Sequence, residues 1–285
     1  MNFQKVSLAA GLYFVGVPIG TARDITLRAL DVLASADILA AEDTRSLRRL
    51  MDIHAVPLAG RQVISLHDHT GGGTAARLVE AIAAGSSVAY ASEAGMPLIA
   101  DPGFELGRAV HAADQMVTCA PGPSAVLTAL VLAGLPTDAF FFAGFLPNAK
   151  AARRRGLEDL RDIPATLVIY ESPKRLAAFL ADAAEVFGGE RQVSVCREIT
   201  KKFEETRKGT LSELAAAYAD QKVRGEIVVL IDRNRSEKIT ESDLETDLTK
   251  ALAGHSMRDA VDMVAKAHNI PRRQVYQMAL ALNEG

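Results

Sequence analysis

Residues 92–103 read Ser92-Glu93-Ala94-Gly95-Met96-Pro97-Leu98-Ile99-Ala100-Asp101-Pro102-Gly103. Before them runs Ser87-Val88-Ala89-Tyr90-Ala91, short and apolar, the pattern of a buried strand. After them, Glu105 to His111 has the composition of a helix start. A loop of small residues therefore sits at the carboxyl end of a strand, where open α/β sheets bind ligands. Gly95 and Gly103 permit backbone conformations closed to other residues, and Pro97 and Pro102 stiffen the turn. A rigid loop with free backbone groups holds a polar small molecule at low entropic cost.

The flanking chain alternates in the same way. Strands are expected at 12–17, 37–41, 63–66, 87–91 and 116–119. Helices are expected at Ile25–Ala34, capped by Asp24, and at Thr44–Met51, Thr74–Ala84 and 105–113. Such alternation implies a mainly parallel sheet covered on both faces. Pro121-Gly122-Pro123 marks a boundary, and Ser124 is placed to cap a helix over Ala125–Leu132. A second α/β lobe follows, with strands at 140–143, 166–170, 192–196 and 226–231 and helices near 150–160, 174–186 and 211–219. From Arg233 to Asp247 the chain is polar and reads as a linker. Leu248 to Leu282 is helical, broken at Asn269-Ile270-Pro271. The expected division is an N-terminal lobe over 1–121, a C-terminal lobe over 122–235 and a linker with a small helix-turn-helix-like appendage over 236–285.

Composition narrows the function classes. The 285 residues carry a net charge of −3, which excludes a general polyanion binder but not an enzyme with a local basic patch. Aromatics make up 5% and Trp is absent, so base stacking does not dominate any nucleic-acid contact. Cys119 and Cys196 are far apart and form neither a metal spacing nor a disulfide framework. No apolar run reaches about 18 residues, and no basic segment precedes an apolar core with a cleavage site near the start. A cytoplasmic chain that crosses no membrane is the expectation.

Further motifs follow in order. They are Leu12-Tyr13-Phe14-Val15-Gly16-Val17-Pro18-Ile19-Gly20, Ala41-Glu42-Asp43-Thr44-Arg45, Ala120-Pro121-Gly122-Pro123-Ser124-Ala125 and Gly144-Phe145-Leu146-Pro147. Then come Tyr170-Glu171-Ser172-Pro173-Lys174-Arg175, Arg197 to Glu205 and Arg224-Gly225-Glu226-Ile227. The ordered series resembles the tetrapyrrole-methylase superfamily (class III methyltransferases), and more narrowly its branch that methylates ribosomal RNA. The resemblance runs from about Gly11 to the C-terminus. It implies a two-lobed fold and S-adenosylmethionine as methyl donor, used for 2′-O-ribose methylation of a cytidine in 16S ribosomal RNA within the small subunit. It also implies a homodimer. Three positions depart from the family pattern: Glu93 replaces Asp, Met96 replaces Thr, and Thr70 replaces Asn.

By the same resemblance, Pro18 and Gly20 line one wall of the donor site. Ser92, Glu93, Ala94, Gly95, Leu98 and Ile99 hold the methionine and ribose parts. Gly122, Pro123, Ser124 and Ala125 form the floor, and Tyr170, Glu171, Ser172, Gly225 and Glu226 approach the adenine. The chain has no Gly-x-Gly-x-x-Gly loop of the dinucleotide type.

Sulfonium methyl transfer is an in-line displacement governed by positioning, and a ribose hydroxyl is helped by a base. Candidate catalytic residues are Glu42, Asp43 and Arg45, His67 with His69, and Arg197, Glu198, Lys201 and Glu204. Lys201 with Glu198 or Glu204 forms an activating pair if the lysine pKa is lowered; the bland alternative is a solvated ion-pair network. His67-Asp68-His69 contains metal-ligand types but has no further ligand in the sequence, so no metal is expected. Two basic stretches, Arg45/Arg48/Arg49 and Lys150/Arg153/Arg154/Arg155, are candidates for phosphate contacts. Two other functions share these features. One is methylation of a corrin or porphyrin carbon. The other is a non-enzymatic RNA-binding or assembly protein with a degenerate pocket, which the Glu93 and Met96 departures favour.

Overall fold

The computed structural model describes residues 2–66, 73–234, 241–268 and 270–283. It forms two compact units, Met1–Arg233 and Asn234–Gly285.

The first unit contains two five-stranded sheets. Strands β1 (Gly11–Val15), β2 (Ile38–Ala41), β3 (Val63–Ser65), β4 (Ser87–Ala91) and β5 (Val117–Ala120) build the first, in the order β3-β2-β4-β1-β5. Every pairing in it is parallel. β1 is buried along its whole length because helices cover both faces of the sheet. Its side chains alternate between two cores: Tyr13 and Val15 pack with Leu30, Leu33 and Met51, while Leu12 and Phe14 pack with Leu78, Ile82 and Leu106.

The covering helices are α1 (Leu27–Ser35), α2 (Thr44–Ile53), α3 (Gly73–Ala83) and α4 (Phe104–Ala112). Thr26 rather than Asp24 caps α1: its side chain accepts from the Ala29 N–H, 3.1 Å away. Asp24 instead lies in a single turn of 3-10 helix ahead of that cap.

The chain crosses to the second sheet through α5 (Ala125–Ala133), whose cap is Ser124, accepting from the Leu127 N–H as the sequence implies. The second sheet contains β6 (Phe140–Phe145), β7 (Thr166–Glu171), β8 (Gln192–Arg197), β9 (Glu205–Thr210) and β10 (Ile227–Ile231) in the order β6-β7-β10-β8-β9. Only the β6–β7 pairing is parallel. Sequence reading does not find β9, because its Glu-Thr-Arg-Lys-Gly-Thr is a charged edge strand without an apolar face. In β10, Ile227, Val229 and Ile231 face one core, and Val228 and Leu230 face another shared with α5 and Ile19. The remaining helices of this unit are α6 (Lys150–Leu160), α7 (Leu176–Phe187) and α8 (Leu211–Tyr218).

The second unit holds α9 (Glu241–Leu252), α10 (Met257–His268) and α11 (Arg272–Asn283). Leu244, Leu248, Val261, Val264 and Val275 give it a core of its own. The polar stretch expected as linker to Asp247 therefore ends earlier, since α9 already runs from Glu241.

One residue of an expected phosphate-binding cluster is internal. Arg153 is buried on α6 and donates to Asp182 on α7 from Nε at 2.9 Å and Nη2 at 2.6 Å. Lys150 approaches the same carboxylate at 3.7 Å, and Arg154 pairs with Glu185. Arg153 and Arg154, which look available in the sequence, fasten α6 to α7. Removing one partner of a buried pair leaves an uncompensated charge. Asp182→Ala is therefore expected to lower stability by about 3–5 kcal/mol in urea unfolding, and a loss under about 1 kcal/mol, the worth of a surface pair, would contradict this account.

Candidate active site

The decisive loop folds as its residue types require. Val17, just beyond β1, and Gly95 exchange backbone hydrogen bonds of 2.9 and 3.1 Å, tying the loop to the neighbouring strand end. Gly95 has φ +73°, and a side chain there would press on Ile19. Leu98 and Ala100 take left-handed φ values of 72° and 61° without being glycine. Gly103, at φ +113°, opens α4. It packs so closely on Tyr90 that a Cβ would lie 2.8 Å from the ring, and the Tyr90 hydroxyl donates to the Pro102 carbonyl at 3.1 Å. Gly16 and Gly122 meet backbone to backbone at the floor, with Met96 packed beside them.

From the second sheet, Glu171 arrives at the end of β7. Its side chain is fully buried; Oε1 accepts from the Ser172 N–H and from Arg175 Nε, each at 2.6 Å. Its Oε2 is buried and has no hydrogen-bond partner among the described residues. Beyond β8, Glu198 and Thr200 also have positive φ, 52° and 63°. Gly225 fits under Glu198 only because it lacks a Cβ, which would sit 2.4 Å from the carboxyl group. Among the described residues, four of the seven non-glycine residues with positive φ, Leu98, Ala100, Glu198 and Thr200, thus fall on these loops. Such strain gathers at functional sites.

Between the two sheets lies a cavity of about 340 Å³, within the range of small-molecule sites. Of the expected donor residues, Ala94, Gly95, Ile99, Ser124, Ala125, Tyr170, Glu171, Ser172, Gly225 and Glu226 line it. Pro18, Gly20, Ser92 and Glu93 line a separate cavity of about 180 Å³ with Arg49 and Ile53 of α2. Leu98, Gly122 and Pro123 line neither. Met96, noted in the sequence as a departure, also forms the larger wall, with residues that sequence reading did not name for the site, among them Ile19, Asp101, Phe145, Ile199 and Val228. Only Asp101 carried a signal: it is a carboxylate in a small-residue loop, fixed by the following Pro102.

Asp101 is perturbed. Burial and the nearby Glu42 carboxylate, with a smaller push from Glu93, raise its pKa to about 6. The Ser92 hydroxyl partly opposes this, although it is buried outside full hydrogen-bond geometry to any group. Tyr170, across the cleft, is pushed up to about 12 by burial and by the charges of Asp101 and Glu226.

None of the expected catalytic residues within the described chain lines the larger cavity. Glu42 braces the loop, its Oε2 accepting from the Glu93 N–H at 3.3 Å. Asp43 caps α2 by accepting from the Arg45 and Ser46 N–H groups, and those bonds lower its pKa. Arg45 is 91% exposed and pairs with Asp43. Arg197 pairs with Glu205 at 3.0 Å. Glu204 accepts from the Thr200 N–H at 2.5 Å. His67, Asp68 and His69, with Thr70, lie outside the described residues.

The lysine base is corrected by its surroundings. Lys201 Nζ donates to Glu198 at 3.0 Å and Glu226 at 2.7 Å. Burial works to lower its pKa, but the bonds to Glu226 and Glu198 outweigh that and raise it. Burial likewise opposes the charge on Glu198, whose bonds from Lys201 and the Glu226 N–H hold its pKa low. The trio is an ion-pair network that positions the strained loop after β8, and Lys201 stays protonated.

Residues 11–215 match the family model described as Tetrapyrrole (Corrin/Porphyrin) Methylases, and residues 239–283 match the RsmI C-terminal HTH domain. Ribosomal RNA small subunit methyltransferase I of Mesorhizobium japonicum is 42% identical over 279 residues, covering 97% of this chain and 94% of that protein. The protein of the same name from Bacillus subtilis is 34% identical, over 97% and 96% of the two chains. Among solved structures, diphthine synthase superposes with a TM-score of 0.60 at 16% identity, over 78% of this chain and 89% of that one. Uroporphyrin-III-C-methyltransferase from Thermus thermophilus gives 0.55 at 20%, over 78% and 94%. Those two likenesses are of fold alone. The two-lobed architecture, the motif-bearing loops around its cleft and the similarity along nearly the whole chain agree: this chain belongs to the tetrapyrrole methylases, and within them to the family of ribosomal RNA small subunit methyltransferase I.

Proposed function

We propose that this protein transfers a methyl group from S-adenosylmethionine to the ribose 2′-oxygen of a cytidine in 16S ribosomal RNA of the small subunit. The observation that carries this reading is the full-length similarity to ribosomal RNA small subunit methyltransferase I, C-terminal unit included. Uroporphyrin-III-C-methyltransferase from Thermus thermophilus is 20% identical and shares the fold alone, so it does not favour a porphyrin substrate here.

The cavity suits the donor. When bound, S-adenosylmethionine supplies an electrophilic methyl group on a sulfonium cation. Glu171 Oε2 is a buried acceptor in the wall that lacks a donor. Leaving such a group unpaired is costly, and an adenine amino group or ribose hydroxyl supplies the missing bond. Ile19, Ile99, Ile199 and Val228 offer apolar contact for a heterocycle. Asp101 and Glu226 give the cavity a negative field that favours a cationic ligand.

Of the three departures from the family pattern, the two within the described residues are compatible with binding. Glu93 faces the smaller cavity. Met96 packs its sulfur 3.2 Å from the Gly122 N–H and leaves the larger cavity open. A degenerate pocket is not what this geometry favours.

The same reading places the protein in the cytoplasm, with its substrate, and as a homodimer. Among the described residues no helix is long and apolar enough to cross a membrane. Support for self-association comes from apolar side chains without cover: Val131 is 82% and Leu127 55% exposed one turn apart on α5, and Phe140 and Phe141 stand half exposed on the edge strand β6.

Labelled donor incubated with small subunits lacking the modification is expected to leave label on a cytidine 2′-oxygen in nucleoside analysis; label on no nucleoside would overturn the reading. Glu171→Gln is expected to weaken donor binding about 10-fold or more in calorimetry. An unchanged Kd would remove Glu171 from the donor's partners. Val131→Glu is expected to convert the sedimenting species from dimer to monomer. A native protein that already sediments as a monomer would refute the dimer.

A further inference from the structure

The loop between β8 and β9 is held in a strained shape, and the donor cavity accounts for only part of it. Ile199 lines that cavity. Phe203, further along the same loop, does not. It is 62% exposed, and the Lys202 ammonium stands over its ring, 5.5 Å from the centre. An apolar ring left in water forgoes the stabilisation that burial supplies. Other exposed phenylalanines differ in their setting. Phe140 and Phe141 belong to the uncovered face of β6, and Phe145 lines the larger cavity. Phe104 also lies under a cation, Arg108, but that cation is already bound to Glu105 at 2.6 Å.

The charges around Phe203 divide in a particular way. The carboxylates are occupied within the protein. Glu198 and Glu226 receive Lys201, Glu205 receives Arg197 and Arg207, and Glu204 accepts from the Thr200 N–H. The cations left over face solvent. Lys202 is exposed and makes no ion pair among the described residues. The same holds for Lys222 and Arg224, which lead into Gly225, the residue packed under Glu198. The loop is also fixed to both lobes. Thr200 Oγ1 accepts from the Thr21 N–H at 3.2 Å, and the Glu198 N–H donates to the Glu226 carbonyl at 3.0 Å. An exposed ring and an unpaired cation are thus carried on a rigid loop that also walls the donor cavity.

We propose that Phe203 is a stacking platform for one unpaired base of the acceptor RNA, and that Lys202 contacts the adjoining phosphate. The proposal rests on the reading of RNA as the acceptor and adds a contact surface to it. A base stacks on the ring through its π-face, whatever its identity, and the ammonium beside the ring suits the phosphate that accompanies each base. RNA is recognised in this way at single-stranded segments, whose bases are free to splay onto aromatic side chains. Low aromatic content and the absence of Trp exclude an extended stacking surface, so the contact is one ring and one substitution removes it. The arrangement also serves the chemistry. In-line methyl transfer depends on positioning, and a single loop that touches the donor through Ile199 and the acceptor strand through Phe203 sets one against the other.

The test compares native protein with Phe203→Ala, Phe203→Leu, Phe203→Tyr and Lys202→Gln on small subunits lacking the modification. Transfer from labelled S-adenosylmethionine gives kcat and KM for the subunits, subunit binding is measured over a range of salt, donor Kd comes from calorimetry, and sedimentation reports the oligomer. Phe203→Ala is expected to raise KM for the subunits by about 5-fold or more, as for a lost base–aromatic stack, with kcat and donor Kd close to native. Phe203→Tyr, which keeps the π-face, is expected to keep the native KM, and Phe203→Leu to behave as Phe203→Ala does. Lys202→Gln is expected to weaken subunit binding and to lower its salt slope by about 1, the signature of one phosphate contact. Native donor binding by the variants shows that they are folded.

A KM rise below about 5-fold in Phe203→Ala overturns the stacking contact. So does a native KM in Phe203→Leu, which makes the ring an apolar contact for a protein partner. An altered sedimentation of Phe203→Ala overturns it too, by assigning the ring to a contact between copies, and a donor Kd that rises as far as KM assigns it to the donor site. An unchanged salt slope in Lys202→Gln removes the phosphate contact. If native protein methylates the subunits and Phe203→Ala matches it, only this proposal falls. If native protein transfers nothing to RNA, the methyl-transfer reading falls and takes the proposal with it.

Discussion

Two backbone hydrogen bonds between Val17 and Gly95 organise the site. β1 and β4 are adjacent parallel strands, and their ends leave the sheet side by side. Left alone, the two following loops would diverge. The Val17–Gly95 pair extends their contact by one antiparallel bridge beyond the sheet. The joined loops then form one wall with two faces. Ile19, Ala94 and Gly95 look into the larger cavity, while Pro18, Gly20, Ser92 and Glu93 look into the smaller one. Gly95 is required at the bridge by its positive φ and by the closeness of Ile19.

The wall is rigid at a cost. Leu98 and Ala100 in one lobe, and Glu198 and Thr200 in the other, each hold a backbone conformation that costs about 1–3 kcal/mol. What holds them is local and polar. The Thr200 N–H is satisfied by Glu204, and its hydroxyl accepts from the Thr21 N–H across the cleft at 3.2 Å. Glu198 is held by Lys201 and by the Glu226 backbone. The charged residues after β8 therefore serve to maintain a loop shape. That accounts for why Lys201 remains an ammonium and why none of Glu198, Lys201 and Glu204 reaches the larger cavity.

The sequence made the fold legible where burial dictated residue type. Apolar runs such as Leu12-Tyr13-Phe14-Val15 and Ile227-Val228-Val229-Leu230-Ile231 read as central strands because helices cover both faces. β9 was hidden, since an edge strand with Arg207 and Lys208 carries no such run. Backbone-driven positions were legible too: Gly95, Ser124 and Gly225 sit where the motifs put them. Long charged side chains were not. Arg153 reads as a surface cation but is buried against Asp182, because its partner lies 29 residues away on another helix. Asp43 reads as a catalytic candidate but is an N-cap. Pairing over such separations leaves no periodic trace in the chain.

Charge also divides the molecule by task. The interlobe cavity is walled by Asp101, Glu171 and Glu226, with Glu42 and Glu93 close behind the loop. Such a field attracts a sulfonium and repels a phosphate. The RNA backbone therefore has no electrostatic reason to enter the donor site. Arg45, Arg48 and Arg49 lie exposed on α2, and Arg49 borders the smaller cavity on the far face of the same wall. With Arg153 consumed inside the second lobe, α2 is the better placed of the two basic stretches to meet phosphates. The overall charge of −3 is then no obstacle to an RNA substrate, because the acidic residues gather at the interlobe cavity while the arginines of α2 stand exposed outside it.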